Sequence, residues 1–144
     1  MKGNTQLVSG AVVYKSGSHG DRWFVVQKEA SDSWEIPKAI VRKGESSVRT
    51  SIRIMAELAG MRAKVLEEAG RSGGATAING KTVPQRYLYY LMQEKAMGEV
   101  VGFAGHKWLD YSRAIEKLPS KRDRMMLRMA RQVLRQWRKR PRVQ

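Results

Sequence analysis

Carboxylates and cationic side chains are the residues of this chain that can do chemistry. There is no cysteine, which excludes disulfides, thiolate zinc sites and cysteine nucleophiles. Neither His19 nor His106 has a metal-ligand partner at a suitable spacing. Arg53 and Glu57 are four residues apart, a spacing that by itself predicts a helix-surface ion pair contributing about 0.3 kcal/mol. The formal net charge of +15 attracts polyanions such as nucleotides, RNA, inositol phosphates or acidic protein surfaces.

The segment from Trp34 to Met61 carries a spacing pattern, and it resembles the signature of the Nudix hydrolases. That signature is a glycine, five residues, a glutamate, seven residues, then Arg-Glu-hydrophobic-any-Glu-Glu-any-Gly-hydrophobic. The spacing is kept throughout, and the matching residues are Glu45, Arg53, Met55, Glu57, Gly60 and Met61. The preceding Trp-x-x-Pro-Lys is similar to the branch that cleaves diadenosine polyphosphates and diphosphoinositol phosphates. The resemblance covers residues 5 to 138.

The resemblance implies a fold, a reaction and a set of site residues. The fold is the α+β Nudix fold, a mixed β-sheet sandwiched between helices (α/β/α), as one domain over residues 1–144. The reaction is hydrolysis of a nucleoside diphosphate linked to another group, or of a related polyphosphate. Mg²⁺ or Mn²⁺ would be held weakly by Glu57 and Glu45, with Arg53 orienting the site. Lys38 and Arg86 are the candidates for contact with substrate phosphates.

Three positions depart from the signature. Ala39 stands in place of the first glycine, and Ile54 and Leu58 stand in place of two glutamates. Positions 54 and 58 lie on one helix face, and Mg²⁺ prefers oxygen ligands. The change indicates lost hydrolysis, an apolar patch for a partner or a base, or a helix that is more deeply buried; we rank lost hydrolysis first. Whether the protein is an enzyme stays open at this point.

The C-terminal region predicts a basic helix over about residues 120–140, capped by Ser120 and ended by Pro141. One stripe of this helix is cationic: Arg124, Arg128, Arg131, Arg135 and Arg138. A second stripe is apolar: Met126, Ala130, Val133 and Trp137. The cationic stripe is either a solvated face of a packed helix or a surface that binds a nucleic-acid backbone.

The elements that position these residues follow from local patterns. Strands are predicted over 7–14, 23–28, 64–69, 75–78, 86–93 and 106–110, and Asn79-Gly80 predicts a hairpin turn. Ser46 or Ser47 caps a helix that Gly60 ends. Within this helix Val48, Ile52, Met55 and Ala59 form the predicted core-facing stripe. A short helix is predicted over 112–118.

Two functions from different classes are compatible with the sequence. The first is a Mg²⁺-dependent pyrophosphohydrolase whose hydrolysis is weak or absent. The second is a non-catalytic domain that binds RNA, a nucleotide or a protein partner through its basic surface. The expected partner is a phosphorylated small molecule, with RNA as a further candidate. No apolar run approaches the roughly 20 residues of a membrane helix, so we expect a cytoplasmic protein, without membrane attachment, as a monomer or homodimer.

Overall fold

The computed structural model describes residues 5–28 and 32–141. In chain order the elements are β1 (Gln6–Gly17), β2 (Gly20–Gln27), β3 (Trp34–Glu35), β4 (Lys38–Ile40), α1 (Ser47–Ala59), β5 (Met61–Ile78), β6 (Lys81–Met97), β7 (Gly105–Leu109), α2 (Tyr111–Lys117) and α3 (Lys121–Lys139). Strands precede and follow α1, and two helices close the chain, so the predicted α+β class is confirmed.

The seven strands form one mixed sheet with the order β3-β2-β1-β6-β5, while β4 pairs with β1 and β7 with β2. The central pair, β1 and β6, is parallel and runs in register from Gln6 opposite Gln85 to Tyr14 opposite Gln93. The other pairings are antiparallel. The parallel pair brings the first strand of the chain beside a strand that follows α1, and so places α1 across the middle of the sheet.

Helices cover both faces of the sheet, which gives the predicted α/β/α arrangement. On one face the core joins Ile54 and Met55 of α1 to sheet residues such as Val13 and Phe24. On the other face a separate core joins α3 to the sheet, and it contains Tyr89, Leu91, Met126, Leu127, Ala130 and Leu134. Because side chains alternate along a strand, each central strand contributes to both cores.

Local signals set several element ends where they were predicted. The Ser46 hydroxyl accepts a hydrogen bond from the Arg49 amide at the start of α1, and Gly60 ends the helix with a φ of 58°. Asn79 and Gly80 both have positive φ, 51° and 78°, which is the conformation of a type I′ hairpin turn. The predicted hairpin turn and helix caps are therefore confirmed.

Two expectations about these elements are wrong. The short strands predicted over 64–69 and 75–78 are one continuous strand, β5, which bulges between Val65 and Glu67 and between Glu68 and Gly70. The bulges interrupt the alternation that marks a strand in sequence. In α1, Ile52 is 44% exposed rather than core-facing. The buried side is formed by Ser51, Ile54, Met55 and Ala59.

Within residues 5–28 and 32–141, the helices lack the continuous apolar stretch that a membrane-spanning segment requires.

Candidate functional site

A tight loop between β4 and α1 positions Glu45. The Glu45 amide donates to the Arg42 carbonyl at 2.9 Å, and Gly44 takes a φ of 81° that a residue with a side chain adopts only with strain. The loop is tied to β1 because the Val41 amide donates to the Leu7 carbonyl at 2.9 Å. Glu45 is thereby directed toward the first turns of α1.

The Glu45 carboxylate is held by an arginine fork and a hydroxyl. Arg53 donates through Nε at 2.8 Å to one carboxylate oxygen and through Nη2 at 3.1 Å to the other. The Thr50 hydroxyl donates at 2.6 Å. These hydrogen bonds favour the ionised form, and the Arg53 guanidinium, followed by the Thr50 hydroxyl, lowers the pKa of Glu45 to about 2. Glu45 is therefore an anion that is already paired.

Glu57 lies one turn beyond Arg53 and is much more open to solvent. Its side chain is 56% exposed, and its Oε1 lies 3.7 Å from Nη1 of Arg53. Arg53 thus stands between two carboxylates, with Glu45 bound closely and Glu57 loosely. The three charged residues that match the Nudix signature are thus brought together, and with Thr50 they form what we call the Glu45 network.

The two apolar substitutions occupy a different environment. Ile54 is 1% exposed and belongs to the core between α1 and the sheet. Leu58 is half-buried and packs against the same core. Full burial of an isoleucine side chain contributes about 2 kcal/mol to stability. Position 54 thus stabilises the fold through an apolar contact.

The chain between β6 and β7 packs directly on Leu58. The amides of Val101 and Gly102 donate to the Leu58 carbonyl at 3.2 and 2.9 Å. The fit at Gly102 is close, since a Cβ added there would lie 2.6 Å from the Cβ of Leu58. Phe103 contributes its ring to the neighbouring core. We call residues 98–104 the covering segment, because they lie over the end of α1 where Leu58 stands.

The donor set around α1 does not fit a magnesium ion. Mg²⁺ takes oxygen ligands and requires near-octahedral geometry, whereas the face at positions 54 and 58 is aliphatic. Glu45 is engaged by Arg53 and Thr50, which leaves Glu57 as the exposed carboxylate of α1 itself. In residues 5–28 and 32–141, no group of three or more His, Asp or Glu side chains is arranged to hold a metal ion.

Lys38, a candidate for phosphate contact, points toward α3. Its ammonium donates to Asp123 at 3.1 Å and to the Ile36 carbonyl at 2.9 Å, and its side chain is only 16% exposed. Asp123 is 1% exposed and also accepts hydrogen bonds from the Ile36 amide and from the Tyr89 hydroxyl. Burial, reinforced by the Asp123 carboxylate, raises the pKa of Tyr89 far above its ordinary value, so its hydroxyl remains a donor. Asp123, Lys38, Tyr89 and Ile36 form what we call the Asp123 network.

Arg86, the other phosphate candidate, lies in a more open position. It is exposed, and strand alternation places it on the same face as Leu88 and Tyr90, which contact the α1 core. A shallow depression beside it is lined by Arg71, Ser72, Gly73, Arg86, Tyr87 and Leu88. Two cations line this depression. Arg71 donates to Glu68 through Nε at 2.8 Å, whereas Arg86 has no acidic partner among the described residues.

The predicted arginine stripe of α3 divides into two groups. Arg124 donates to the carbonyls of Leu118 and Pro119 at 2.8 Å. Arg131 lies 4.0 Å over the ring of Tyr111. Arg138 holds Asp21 at 2.8 Å through two nitrogens, so these three arginines form the first group. The second group is Arg128 and Arg135, which are exposed. Within the described part of the chain, Arg128 and Arg135 form no ion pair.

Sequence reasoning missed Asp123 and Thr50. Asp123 is a lone acid among ten cations in residues 121–142, and that isolation was a usable signal because a buried acid needs a cationic partner. Thr50 gave no signal. Aromatic side chains could stack on a nucleotide base, but Trp23, Tyr87, Tyr89 and Tyr90 are buried in the core. Trp34 is half-buried, with the ammonium groups of Lys107 and Lys117 at 5.2 and 5.4 Å from its ring.

Comparison with known proteins gives structural neighbours only. No protein-family model and no curated protein matches the sequence. A Caenorhabditis elegans Ap4A hydrolase in a binary complex superposes with a TM-score of 0.74 at 20% identity, covering 91% of this chain and 98% of that one. The Nudix domain of Shewanella oneidensis NrtR in complex with ADP ribose gives 0.71 at 17% identity, covering 93% and 90%. A Nudix hydrolase from Nitrosomonas europaea gives 0.72 at 14% identity, covering 90% of each chain. The fold is therefore the Nudix fold, as the sequence pattern predicted.

Proposed function

We propose that this chain is a Nudix-family domain that binds a phosphorylated small molecule and in which metal-dependent hydrolysis is weak or absent. The ligand class is a nucleoside diphosphate linked to another group, or a related polyphosphate. The observation that carries the proposal is the packing of Ile54 and Leu58. They stand where the family signature has glutamates, and one is fully buried while the other lies under the covering segment.

The free-energy cost of burying a charge at position 54 supports the loss of a strong metal site. An ionised carboxylate at position 54 would be removed from water, at an effective cost of several kcal/mol unless it were paired. The aliphatic side chain there contributes favourably instead, by about 2 kcal/mol. Two neighbouring carboxylates that remain, Glu45 and Glu57, are joined through Arg53. An arginine between them competes with a cation for the same oxygens.

The ligand class is supported by the charge beside α1 and by the structural neighbours. Arg86 is exposed and lines a depression of the sheet, so its guanidinium is accessible to a phosphate group. A guanidinium binds phosphate oxygens through two parallel hydrogen bonds. Two structural neighbours are an Ap4A hydrolase and a domain in complex with ADP ribose, and both named compounds contain a pyrophosphate linkage. We assign Arg86 as the first phosphate contact.

A slow Mg²⁺- or Mn²⁺-dependent pyrophosphohydrolase is the second candidate. One observation favours it: Glu57 is 56% exposed beside Arg53, so its carboxylate is accessible to a cation. Such an enzyme would use Glu57 and Glu45 as catalytic and metal-binding residues, with Arg53 orienting them. Arg53 would then have to release part of its hold on Glu45.

Phosphate release separates the two candidates. The intact chain is incubated with Mg²⁺ or Mn²⁺ and a panel of dinucleoside polyphosphates, nucleotide sugars, capped RNA and diphosphoinositol phosphates. We expect no metal-dependent turnover above a no-protein control, and no shift of the melting temperature with either metal. Turnover that disappears in Glu57→Gln would show the enzyme and overturn the proposal.

Calorimetric titration tests the binding half of the proposal. With ADP ribose or a dinucleoside polyphosphate as the titrant and no added metal, we expect binding that weakens about tenfold in Arg86→Gln, since one charge-assisted contact to phosphate contributes about 1.5 kcal/mol. Lys95→Gln is the matched control, because Lys95 is an exposed cation on the same strand. Equal weakening in both variants would show that Arg86 acts only through overall charge.

A further inference from the structure

The outward side of α3 is a charged surface that the proposed function leaves unused. With 3.6 residues per turn, one exposed line of the helix contains Lys121, Met125, Arg128, Gln132, Arg135 and Lys139, all open to solvent. We call these six residues the α3 outer line. At a rise of 1.5 Å per residue, this line is about 27 Å long. It carries four cations and no acid.

The cations of the outer line differ from the other arginines of the helix. Arg124, Arg131 and Arg138 are used within the fold, on two carbonyls, the Tyr111 ring and Asp21 respectively. Arg128 and Arg135 make no ion pair with any described residue. Three arginines of the stripe therefore fix α3 in place, while two remain free to meet an external anion.

Acidic residues near this surface are already neutralised. Asp123, the acid of α3, is buried with Lys38. Glu67 of β5 lines a groove together with Arg135 and Lys139 of α3. Its carboxylate is bound by Arg140. The positive field along the outer line is thus opposed by little local negative charge.

We infer that the α3 outer line binds the phosphodiester backbone of a nucleic acid. The chemistry required is a row of cations with amide donors between them, which Arg128, Gln132 and Arg135 supply in sequence along the helix. Such contacts hold phosphate and sugar groups and read no base sequence. The inference does not depend on hydrolysis or on ligand binding at Arg86.

Other polyanionic partners fit this surface less well. Insertion into a membrane surface needs an apolar helix side, but Met126, Leu127 and Leu134 are at most 2% exposed because they form the core. A protein interface is centred on aromatic or aliphatic anchors, and the outer line offers one apolar residue, Met125, at 51% exposure. A line of about 27 Å made of cations and amides matches an extended backbone.

Fluorescence anisotropy across a series of KCl concentrations tests the inference. The titrations use the full chain with labelled single-stranded RNA and single-stranded DNA of mixed sequence. We expect binding to both, with log affinity falling linearly with log salt. Arg128→Gln/Arg135→Gln should weaken binding about tenfold and reduce the slope by about 1.4, because each phosphate contact to a single strand contributes about 0.7.

The matched control is Lys81→Gln/Lys95→Gln, which removes two exposed cations from β6. It changes the net charge equally and should reduce the slope by less than half as much. Equal losses in the two double variants would overturn the inference, since net charge alone would then explain binding. The absence of nucleic-acid binding would also overturn the inference. A parallel titration with phosphatidylserine vesicles then shows whether the surface binds a membrane instead. Circular dichroism checks that the variants fold, which is expected because the four substituted side chains are exposed and form no ion pair with a described residue.

Discussion

The chain contains two ionic networks that differ in their exposure to water. In the Glu45 network, Glu45 and Arg53 are 17% and 18% exposed and Glu57 is 56% exposed. In the Asp123 network, the carboxylate is 1% exposed and joins a lysine, a tyrosine hydroxyl and a backbone amide. Charge interactions strengthen as water is excluded, and an ion left alone in the interior is costly. Removing one partner is therefore expected to cost more free energy in the Asp123 network than in the Glu45 network.

This difference changes the interpretation of the signature segment. The segment supplies Glu45 and Arg53 to the Glu45 network. Its Lys38 instead contacts Asp123 of α3. Its positions 54 and 58 belong to the core and to the contact with the covering segment. Part of this segment therefore stabilises the fold, whether or not the chain carries out a reaction. Four measurements test this comparison.

The largest effect is expected from removing Asp123. Asp123→Ala removes the nearer carboxylate of Lys38, leaving it Glu35 at 3.8 Å, and leaves the buried Tyr89 hydroxyl without its acceptor. The free energy of unfolding should therefore fall by about 3–5 kcal/mol. Urea denaturation measures the loss. The control is Asp21→Ala, which removes another acid that pairs with α3, through Arg138 at the surface, and should cost about 1 kcal/mol or less. Equal losses would show that burial does not separate the two pairs.

A smaller effect is expected at the covering segment. Gly102→Ala places a Cβ about 2.6 Å from the Cβ of Leu58, and the resulting overpacking should cost about 1–3 kcal/mol. Gly73→Ala is the control, because nothing lies within 4 Å of a Cβ added there, and its effect should stay within about 0.5 kcal/mol. If Gly102→Ala is neutral, the segment does not hold Leu58 tightly, and access to this face of α1 has to be reconsidered.

Acid should weaken the Glu45 network in a defined pH window. The folded-state pKa of Glu45, about 2, lies below the ordinary value of about 4.3 for a free glutamate. The stability contributed by ionised Glu45 is therefore complete above pH of about 4.3 and is lost as pH falls toward about 2. Comparing melting temperatures of the wild type and Glu45→Gln across this range measures it. The difference should shrink as pH falls, and a constant difference would contradict the pairing.

The smallest effect is expected from Glu57. Its link to Arg53 at 3.7 Å is mostly exposed, so Glu57→Gln should change the free energy of unfolding by at most about 0.5 kcal/mol. The same variant is used in the phosphate-release assay. Its unchanged stability would show that any loss of turnover is not caused by unfolding. A loss above about 2 kcal/mol would place Glu57 in a structural role like that of Asp123.

Local sequence determined where most elements begin and end, for reasons contained within a few residues. Ser46 satisfies a free amide at the start of α1, Gly60 takes the left-handed conformation that ends it, and Asn79-Gly80 takes the positive φ angles of a tight turn. The spacing of Glu45, Arg53 and Glu57 further predicted the fold and the proximity of these three residues. The caps and the turn depend on neighbours in the chain, so the sequence carries them directly, whereas the fold and the proximity of the three charged residues followed from the resemblance to the Nudix signature.

Only the tertiary structure decided which side chains are buried and which ions are paired. The apolar residues of α1 fit two overlapping stripes, and packing against the sheet chose the one with Ile54 over the one with Ile52. The buried Ser51 concealed this choice in the sequence. Lys38 and Asp123 are 85 positions apart, and nothing local links them. Their pairing exists because the sheet and α3 exclude water between them, and that exclusion is a property of the assembled fold.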